Sequence, residues 1–100
     1  MENYENELDV QVLMSAIRDI LDSQSNRAIS WVPIAFMQRD LENHVPPSDA
    51  FRLPQTPGEL RTMFECNLGR FYEAGIGIEL SPPDKHENRR KLWRVRAWVR

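Results

Sequence analysis

Apolar and polar residues alternate along this chain with two different periods, and the change of period divides it into helices and strands. From about Asn6–Asp9 to Ser23 the apolar residues recur at helical spacing, which predicts an amphipathic helix. Its apolar stripe comprises Val10, Leu13, Met14, Ile17 and Leu21. The segment Arg27–Ser30 is too short for a helix, and we expect a brief strand or an extended link there.

A second helix is predicted from Trp31 to about Asn43. Ser30 is a favourable N-cap, and Pro33 would lie in the first turn, where its missing N–H leaves no helical hydrogen bond unmade. The residues expected to face the core are Ile34, Met37 and Leu41. The segment that follows, His44–Gln55, is predicted to be irregular, with Phe51 and Leu53 attaching it to the core.

The third helix has the clearest signals for its two ends. Thr56 is a favourable N-cap, Pro57 suits the first helical position, and Glu59 completes a capping box. Gly75 suits the left-handed residue that follows a helix. The predicted apolar stripe comprises Leu60, Met63, Phe64, Leu68, Phe71 and Tyr72.

The last quarter of the chain alternates with the period of a strand on two arms, Ile76–Leu80 and Leu92–Arg100. On the second arm we expect Trp93, Val95, Ala97 and Val99 to face the helices. The residues left on the reverse face are Leu92, Arg94, Arg96, Trp98 and Arg100. The pattern therefore predicts a hairpin with one apolar face and one face rich in arginine.

Together these elements predict an α+β protein with a single domain over residues 1–100, of which 1–6 form a flexible acidic N-terminus. Helix, short strand, helix, helix and a C-terminal two-stranded β-wing resemble the winged helix-turn-helix superfamily over about residues 8–99. The chain is also similar to the winged-helix tails of phage and plasmid primase–helicases. That likeness lies in an Ile29–Ser30 lead into helix two, the Thr56–Pro57–x–Glu59–Leu60 start and the arginine-rich last strand.

Charge is distributed unevenly along the chain. Residues 1–50 contain nine acids and three bases, whereas residues 51–100 contain six acids and ten bases, and eleven of the thirteen bases are arginine. The guanidinium fork of arginine holds phosphate or carboxylate at two points. The basic half of the chain therefore favours an anionic partner.

The wing contains most of the candidate nucleic-acid contacts. They are Lys85, Arg89, Arg90, Lys91, Arg94 and Arg96, with Trp98 as a stacking surface and Arg61 as the one groove contact from the third helix. Basic side chains beside an aromatic ring suit a sugar–phosphate backbone or a stacked base. The alternative is a solvated strand face, on which arginine stacks over Trp98 and pairs with Glu79 or with the acidic N-terminus.

The outward side of the third helix gives a second functional hypothesis. At helical spacing it presents small residues and acids: Gly58, Thr62, Glu65, Cys66, Gly69 and Glu73. Acids repel phosphate, so this helix is poorly suited to sequence-specific contacts in a DNA groove. The small residues Gly58, Thr62, Cys66 and Gly69 would admit another backbone, either from within the chain or from a partner protein.

Several classes of function are disfavoured by composition. Cys66 is the only cysteine, so neither a disulfide framework nor a cysteine-based metal site is expected. We find no Gly-rich phosphate loop, no membrane-length apolar run and no evident acid–base pair, so we expect a cytoplasmic protein that is not an enzyme and needs no cofactor or metal.

Two hypotheses therefore remain for the partner. In the first, the chain binds DNA through backbone-type contacts of the wing, which the resemblance connects with replication or transcription control of a mobile element. In the second, it is a protein-interaction module, a small phage or plasmid factor that docks on a host or replication complex through an acidic partner. Helix one and the hairpin edge are candidate surfaces for a homodimer.

Overall fold

The α-helices and strands follow one another in the order helix, strand, helix, helix, strand, strand. The structure, a computed structural model, describes residues 6–82 and 93–100. Its elements are α1 (Glu7–Ser23), β1 (Ala28–Pro33), α2 (Ile34–Glu42), a 3₁₀ helix (Pro47–Arg52), α3 (Pro57–Glu73), β2 (Ile76–Ser81) and β3 (Arg94–Val99). The predicted α+β class is confirmed.

The strands of the described residues form one antiparallel sheet in the order β1-β3-β2. Ala97, in the central strand, lies between Ile29 of β1 and Ile78 of β2. The expected two-stranded wing is therefore wrong, because β1 pairs with the other edge of β3 and makes a three-stranded sheet. A strand pairing between segments this far apart in sequence leaves no local signal in the pattern.

Helix α2 begins three residues later than the pattern predicts, at Ile34, with Pro33 at the N-cap position. The segment from Ala28 to Pro33 is strand instead, because Val32 pairs with Val95 and the backbone N–H of Ile34 donates to the Trp93 carbonyl at 3.1 Å. Pro33 is compatible with this arrangement, since β1 is an edge strand and needs hydrogen bonds on one side alone. Ser30 is consequently a strand residue rather than a helix cap.

The hydrophobic core lies between the three α-helices and one face of the sheet. Phe64 and Phe71 of α3 meet there edge to face, with ring centroids 5.7 Å apart, and both are fully buried. The other buried apolar residues include Val10, Leu13, Ile17 and Leu21 of α1, Ile34, Met37 and Leu41 of α2, and Val95 and Ala97 of β3. The inward-facing sets predicted for α1 and α2 are thus confirmed, with Met14 only partly buried.

The predicted ends of α3 are confirmed. The Thr56 hydroxyl accepts the backbone N–H of Glu59 at 3.1 Å, and the Glu59 carboxylate accepts the backbone N–H of Gln55 at 2.9 Å. The Glu59 side chain therefore bonds to Gln55, the residue before the N-cap, and not to the N-cap residue itself as in the usual capping box. At the other end Gly75 adopts a left-handed φ of 87°. The Arg18 guanidinium donates to the Ala74 carbonyl at 3.3 Å and places a positive charge where the helix dipole favours one.

The apolar stripe of α3 differs from the prediction in its second half. Leu68 and Tyr72 are exposed, whereas Asn67 is buried and has the non-helical backbone angles φ −126° and ψ 17°. Asn67 lies four residues before Phe71, so helical spacing places it on the buried side and the other two on the flank. Its amide donates to the Met63 carbonyl at 2.8 Å, which satisfies that donor within the helix.

The segment before α3 is attached to the core by one of the two predicted residues. Leu53 is buried, as predicted, but Phe51 is 69% exposed and the prediction for it is wrong. The 3₁₀ helix turns Phe51 outward, where the Arg52 guanidinium lies 4.8 Å from its ring centroid. Arg52 also pairs with Asp9 of α1 at 3.2 Å, so an ion pair fixes this segment beside the first helix.

Candidate nucleic-acid interface

The two faces of the sheet differ in chemistry, as the alternation of β3 predicts. Val95 and Ala97 are buried against the helices, whereas Arg96 is exposed on the reverse face and Trp98 is half-buried there. We use the name outer sheet face for the reverse side, defined by Trp31 of β1, Glu79 of β2, and Arg94, Arg96 and Trp98 of β3. The predicted outward position of the arginines on this strand is confirmed.

Arg96 lies at the centre of the outer sheet face. Its Nε and Nη2 donate to the same oxygen of Glu79, directly opposite on β2, at 3.0 and 2.5 Å. Its guanidinium carbon lies 5.0 Å from the ring of Trp31 and 5.4 Å from that of Trp98. The contacts expected of a solvated strand face are therefore present, yet the Arg96 side chain stays 45% exposed and open to a ligand.

Trp98 lies flat on the sheet above Gly77. A Cβ built on Gly77 would meet Cε2 of the indole at 2.1 Å and its bonded neighbours Cζ2 and Nε1 at 2.4 Å. A Cβ that approached Cε2 within the plane of the ring would lie closer to Cζ2 and Nε1 than to Cε2. The Cβ is instead closest to Cε2, so Gly77 faces the flat side of the ring. The opposite side of the indole is turned away from the strand, as a stacking surface requires.

Trp31 joins this face through an irregularity in β1. The register shifts between Ile29 and Val32, so Ser30 and Trp31 both lie opposite Arg96 as in a β-bulge. Trp31 is 40% exposed. The sequence interpretation missed this residue because it assigned Trp31 to the second helix. The run from Ile29 to Val32, with β-branched residues around the tryptophan, was the signal for a longer strand.

Four of the predicted nucleic-acid contacts, Lys85, Arg89, Arg90 and Lys91, lie outside the described residues. Of the remaining wing residues, the structure brings Arg94, Arg96 and Trp98 to one face of β3. Arg94 pairs in register with Ser81 of β2 and Pro33 of β1, at the end of the sheet next to residue 93.

Arg61, the predicted groove contact, and Arg100, expected on the reverse face of the hairpin, are held elsewhere. Arg61 of α3 lies 4.6 Å from the ring of Trp93 and within 3.3 Å of the Glu65 carboxylate, contacts that keep it against the protein body. Arg100 turns away from the outer sheet face, because its Nη1 donates to the Tyr72 carbonyl at 2.6 Å. Neither residue shares a site with Arg96.

The small side of α3 is open among the described residues. Gly58, Cys66 and Gly69 are exposed, and Thr62 is half-buried with its hydroxyl donating to the Gly58 carbonyl at 3.0 Å. A Cβ placed on Gly69 would have no atom within 4 Å. Helix α1 and the 3₁₀ helix therefore do not cover Gly69, and the suggestion that it serves packing within the chain is wrong for this position.

Within residues 6–82 and 93–100, histidine, cysteine and carboxylate side chains do not come together in groups that could hold a metal ion. His44 is paired with Asp19 of α1, its Nδ1 lying 2.7 Å from the carboxylate. The same part of the chain contains no helix with the length and apolarity needed to cross a membrane.

When the chain is compared with protein-family models, with curated proteins and with solved structures, none of the three gives a match.

Proposed function

We propose that the chain is a winged-helix protein, not an enzyme, that binds nucleic acid through the outer sheet face and the arginine-rich wing. The order of helices and strands supports this, because a winged helix joins the strand after its first helix to a C-terminal hairpin. In this chain β1 pairs with β3 of the C-terminal strand pair, and the sheet packs on α1, α2 and α3. The contacts would be mainly to the phosphate backbone.

The observation that carries the proposal is the position of Arg96 between two half-exposed indoles, with Arg94 on the same strand face. Guanidinium groups supply two-point contacts to phosphate, and the indoles supply flat surfaces for sugars or bases. Glu79 restrains Arg96 from one side. A ligand phosphate would therefore reach a guanidinium whose orientation is already fixed.

The exposed side of α3 supports contacts through the sheet instead of through the third helix. Glu65 and Glu73 are exposed there and would repel phosphate in a DNA groove. Arg61, the one basic residue predicted to enter a groove, stacks on Trp93. Backbone contacts by the wing give affinity without strong preference for sequence.

Fluorescence anisotropy with labelled duplex and single-stranded oligonucleotides tests the proposal. We expect binding at about 50 mM salt that weakens steeply by about 200 mM, because each phosphate neutralised releases counterions. The double variant Arg89→Ala with Arg94→Ala should weaken binding to all sequences alike. If neither nucleic acid binds at low salt, the proposed function is wrong, and if the double variant binds like wild type, the assignment to the wing is wrong.

The second candidate, a protein-interaction module with an acidic partner or a second copy of the chain, is favoured by the open side of α3. Gly69 has free space around it, and a partner backbone could approach there. Sedimentation equilibrium of wild type and of Gly69→Arg tests this for self-association. A dimer that dissociates in the variant would place the interface on α3, and a monomeric wild type removes the homodimer.

The biological setting that we propose is the cytoplasm. Exposed, free Cys66 favours a reducing compartment such as the cytoplasm. Replication or transcription control of a mobile element rests on the resemblance of sequence pattern. Detection of the chain bound to replicating or transcribed DNA in its host, by cross-linking, would test this setting.

A further inference from the structure

The geometry points to a ligand class for the outer sheet face: we propose that it binds single-stranded nucleic acid in preference to duplex. One base would stack on the indole of Trp98, a second on the indole of Trp31, and a phosphate would contact Arg96. This inference rests on the proposed function, because it specifies which nucleic acid the same face takes.

The orientation of Trp98 suits a stacked base. Its inner side is covered by Gly77, at distances that place the glycine against the flat of the ring. A residue with a side chain at position 77 would push the indole up from the sheet. With glycine, the ring lies parallel to the sheet surface, and its outer side stays partly accessible beside the Arg96 guanidinium, so a base can stack there next to that cation.

The three side chains are arranged with the cation between the two rings. Trp31 and Trp98 flank Arg96, whose guanidinium carbon is 5.0 and 5.4 Å from their ring centroids. Trp31 lies across the strand pair from Arg96, and Trp98 lies two residues along β3 on the same face. The Arg96 guanidinium thus lies between the two indoles. If one base stacks on each indole, the phosphate that links the two bases would lie next to this guanidinium.

The charge of the outer sheet face also favours a single strand. Glu79 accepts both Arg96 hydrogen bonds and offsets part of its charge. A face that bound duplex by charge alone would be weakened by this carboxylate, since duplex binding depends mainly on phosphate neutralisation. Stacking on the indoles does not depend on net charge. It does require bases whose flat sides are free, which a single strand provides and a continuous duplex does not.

The experiment compares anisotropy titrations of labelled oligothymidylate of about 20 nucleotides with titrations of a duplex of the same length, both at low salt. Wild type should bind the single strand more tightly. Trp31→Ala should weaken single-strand binding by at least about fivefold, the lower end of what one stacked base contributes. Trp31→Phe should recover part of that loss, because phenylalanine keeps a smaller stacking surface.

Phe36→Ala is the matched control, since Phe36 is another exposed aromatic residue, 56% accessible, but on α2, where it lines a cavity with Ile29 and Val32 and is not part of the outer sheet face. Its single-strand affinity should equal that of wild type. A second measurement uses the Trp93→Phe chain, in which the fluorescence of Trp31 and Trp98 remains. Oligothymidylate should quench that fluorescence at the concentrations at which anisotropy rises, and this readout decides the matter even if Trp31→Ala does not fold.

The outcomes separate the two proposals. Equal affinity for both nucleic acids, with no quenching of the indoles, would overturn the single-strand inference and leave the proposed function standing. A single-strand preference that Trp31→Ala does not change would also overturn it, since the bases would then stack elsewhere. Absence of binding to either nucleic acid, or binding of poly-glutamate alone, would overturn the proposed function itself.

Discussion

The indole of Trp98 occupies the space in which a side chain of Gly77 would lie. The two residues are partners across β2 and β3, and Gly77 is buried beneath the ring. Of the four glycines, Gly75 alone has a positive φ, so position 77 requires glycine for room and not for an unusual backbone angle. Gly77 and Trp98 thus pack as a pair, and the absence of a side chain at position 77 lets the indole lie close to the sheet.

Replacement of Gly77 by alanine should destabilise the protein. The new methyl group would overlap ring atoms of Trp98 at 2.1 to 2.4 Å, so the indole must leave its position or the strands must separate. Overpacking of this kind costs about 1–3 kcal/mol in the free energy of unfolding. Urea unfolding followed by circular dichroism measures the loss, and a stability equal to wild type would show that the ring does not lie on Gly77.

Gly69→Ala makes the same chemical change where there is room for it. Gly69 lies inside α3, is exposed and has no atom near the position of a new Cβ. Alanine should raise the free energy of unfolding by about 0.5–1 kcal/mol, because it has the higher helix propensity. Thermal unfolding checks the sign. A destabilised variant would indicate that a neighbour fills the space beside Gly69.

Local periodicity was sufficient to predict α1, α3 and the two faces of β3. Thr56 marks the start of α3 and Gly75 marks its end, through capping interactions that depend only on nearby residues in the sequence. The start of α2 was not predictable in this way, because Ser30 and Pro33 suit a helix start as well as an edge strand. The pairing of Val32 with Val95 decided between them, and no local pattern contains that contact.

The sequence predicted one part of the candidate site, the face of β3, and missed the part that β1 contributes. Alternation placed Arg94, Arg96 and Trp98 on one face, and the structure agrees. Pairing of an arginine with Glu79 remained one of several alternatives, because it depends on the register of two strands. Trp31 was missed for a related reason: its contact with Arg96 exists only because β1 joins the hairpin and carries a bulge.

Thr56→Ala should lower stability through the N-terminus of α3. The Thr56 hydroxyl is the side-chain acceptor for the backbone N–H of Glu59, and alanine would leave that donor to water. We expect a loss of about 1 kcal/mol in the free energy of unfolding, within the usual range for a removed N-cap. Thr56→Ser retains the hydroxyl and is the control. If the serine variant loses as much as the alanine variant in chemical denaturation, the stabilisation comes from the threonine methyl group.

Glu79→Gln should strengthen nucleic-acid binding. The carboxylate of Glu79 holds the guanidinium of Arg96 and would lie near any phosphate bound to it. Two unit charges about 4 Å apart in water interact by about 1 kcal/mol, so removal of the negative charge should tighten binding by about fivefold. Because both side chains are 45% exposed, loss of their ion pair should change folding stability by less than about 1 kcal/mol.

The control for Glu79→Gln is Glu73→Gln, which changes the net charge equally at an exposed position near the end of α3. Under the proposal it should alter affinity by less than about twofold, because the contribution of a distant surface charge is screened by salt. Anisotropy titrations of both variants at one ionic strength provide the comparison. Equal strengthening by the two would mean that net charge alone governs binding, and the outer sheet face would then not be the site.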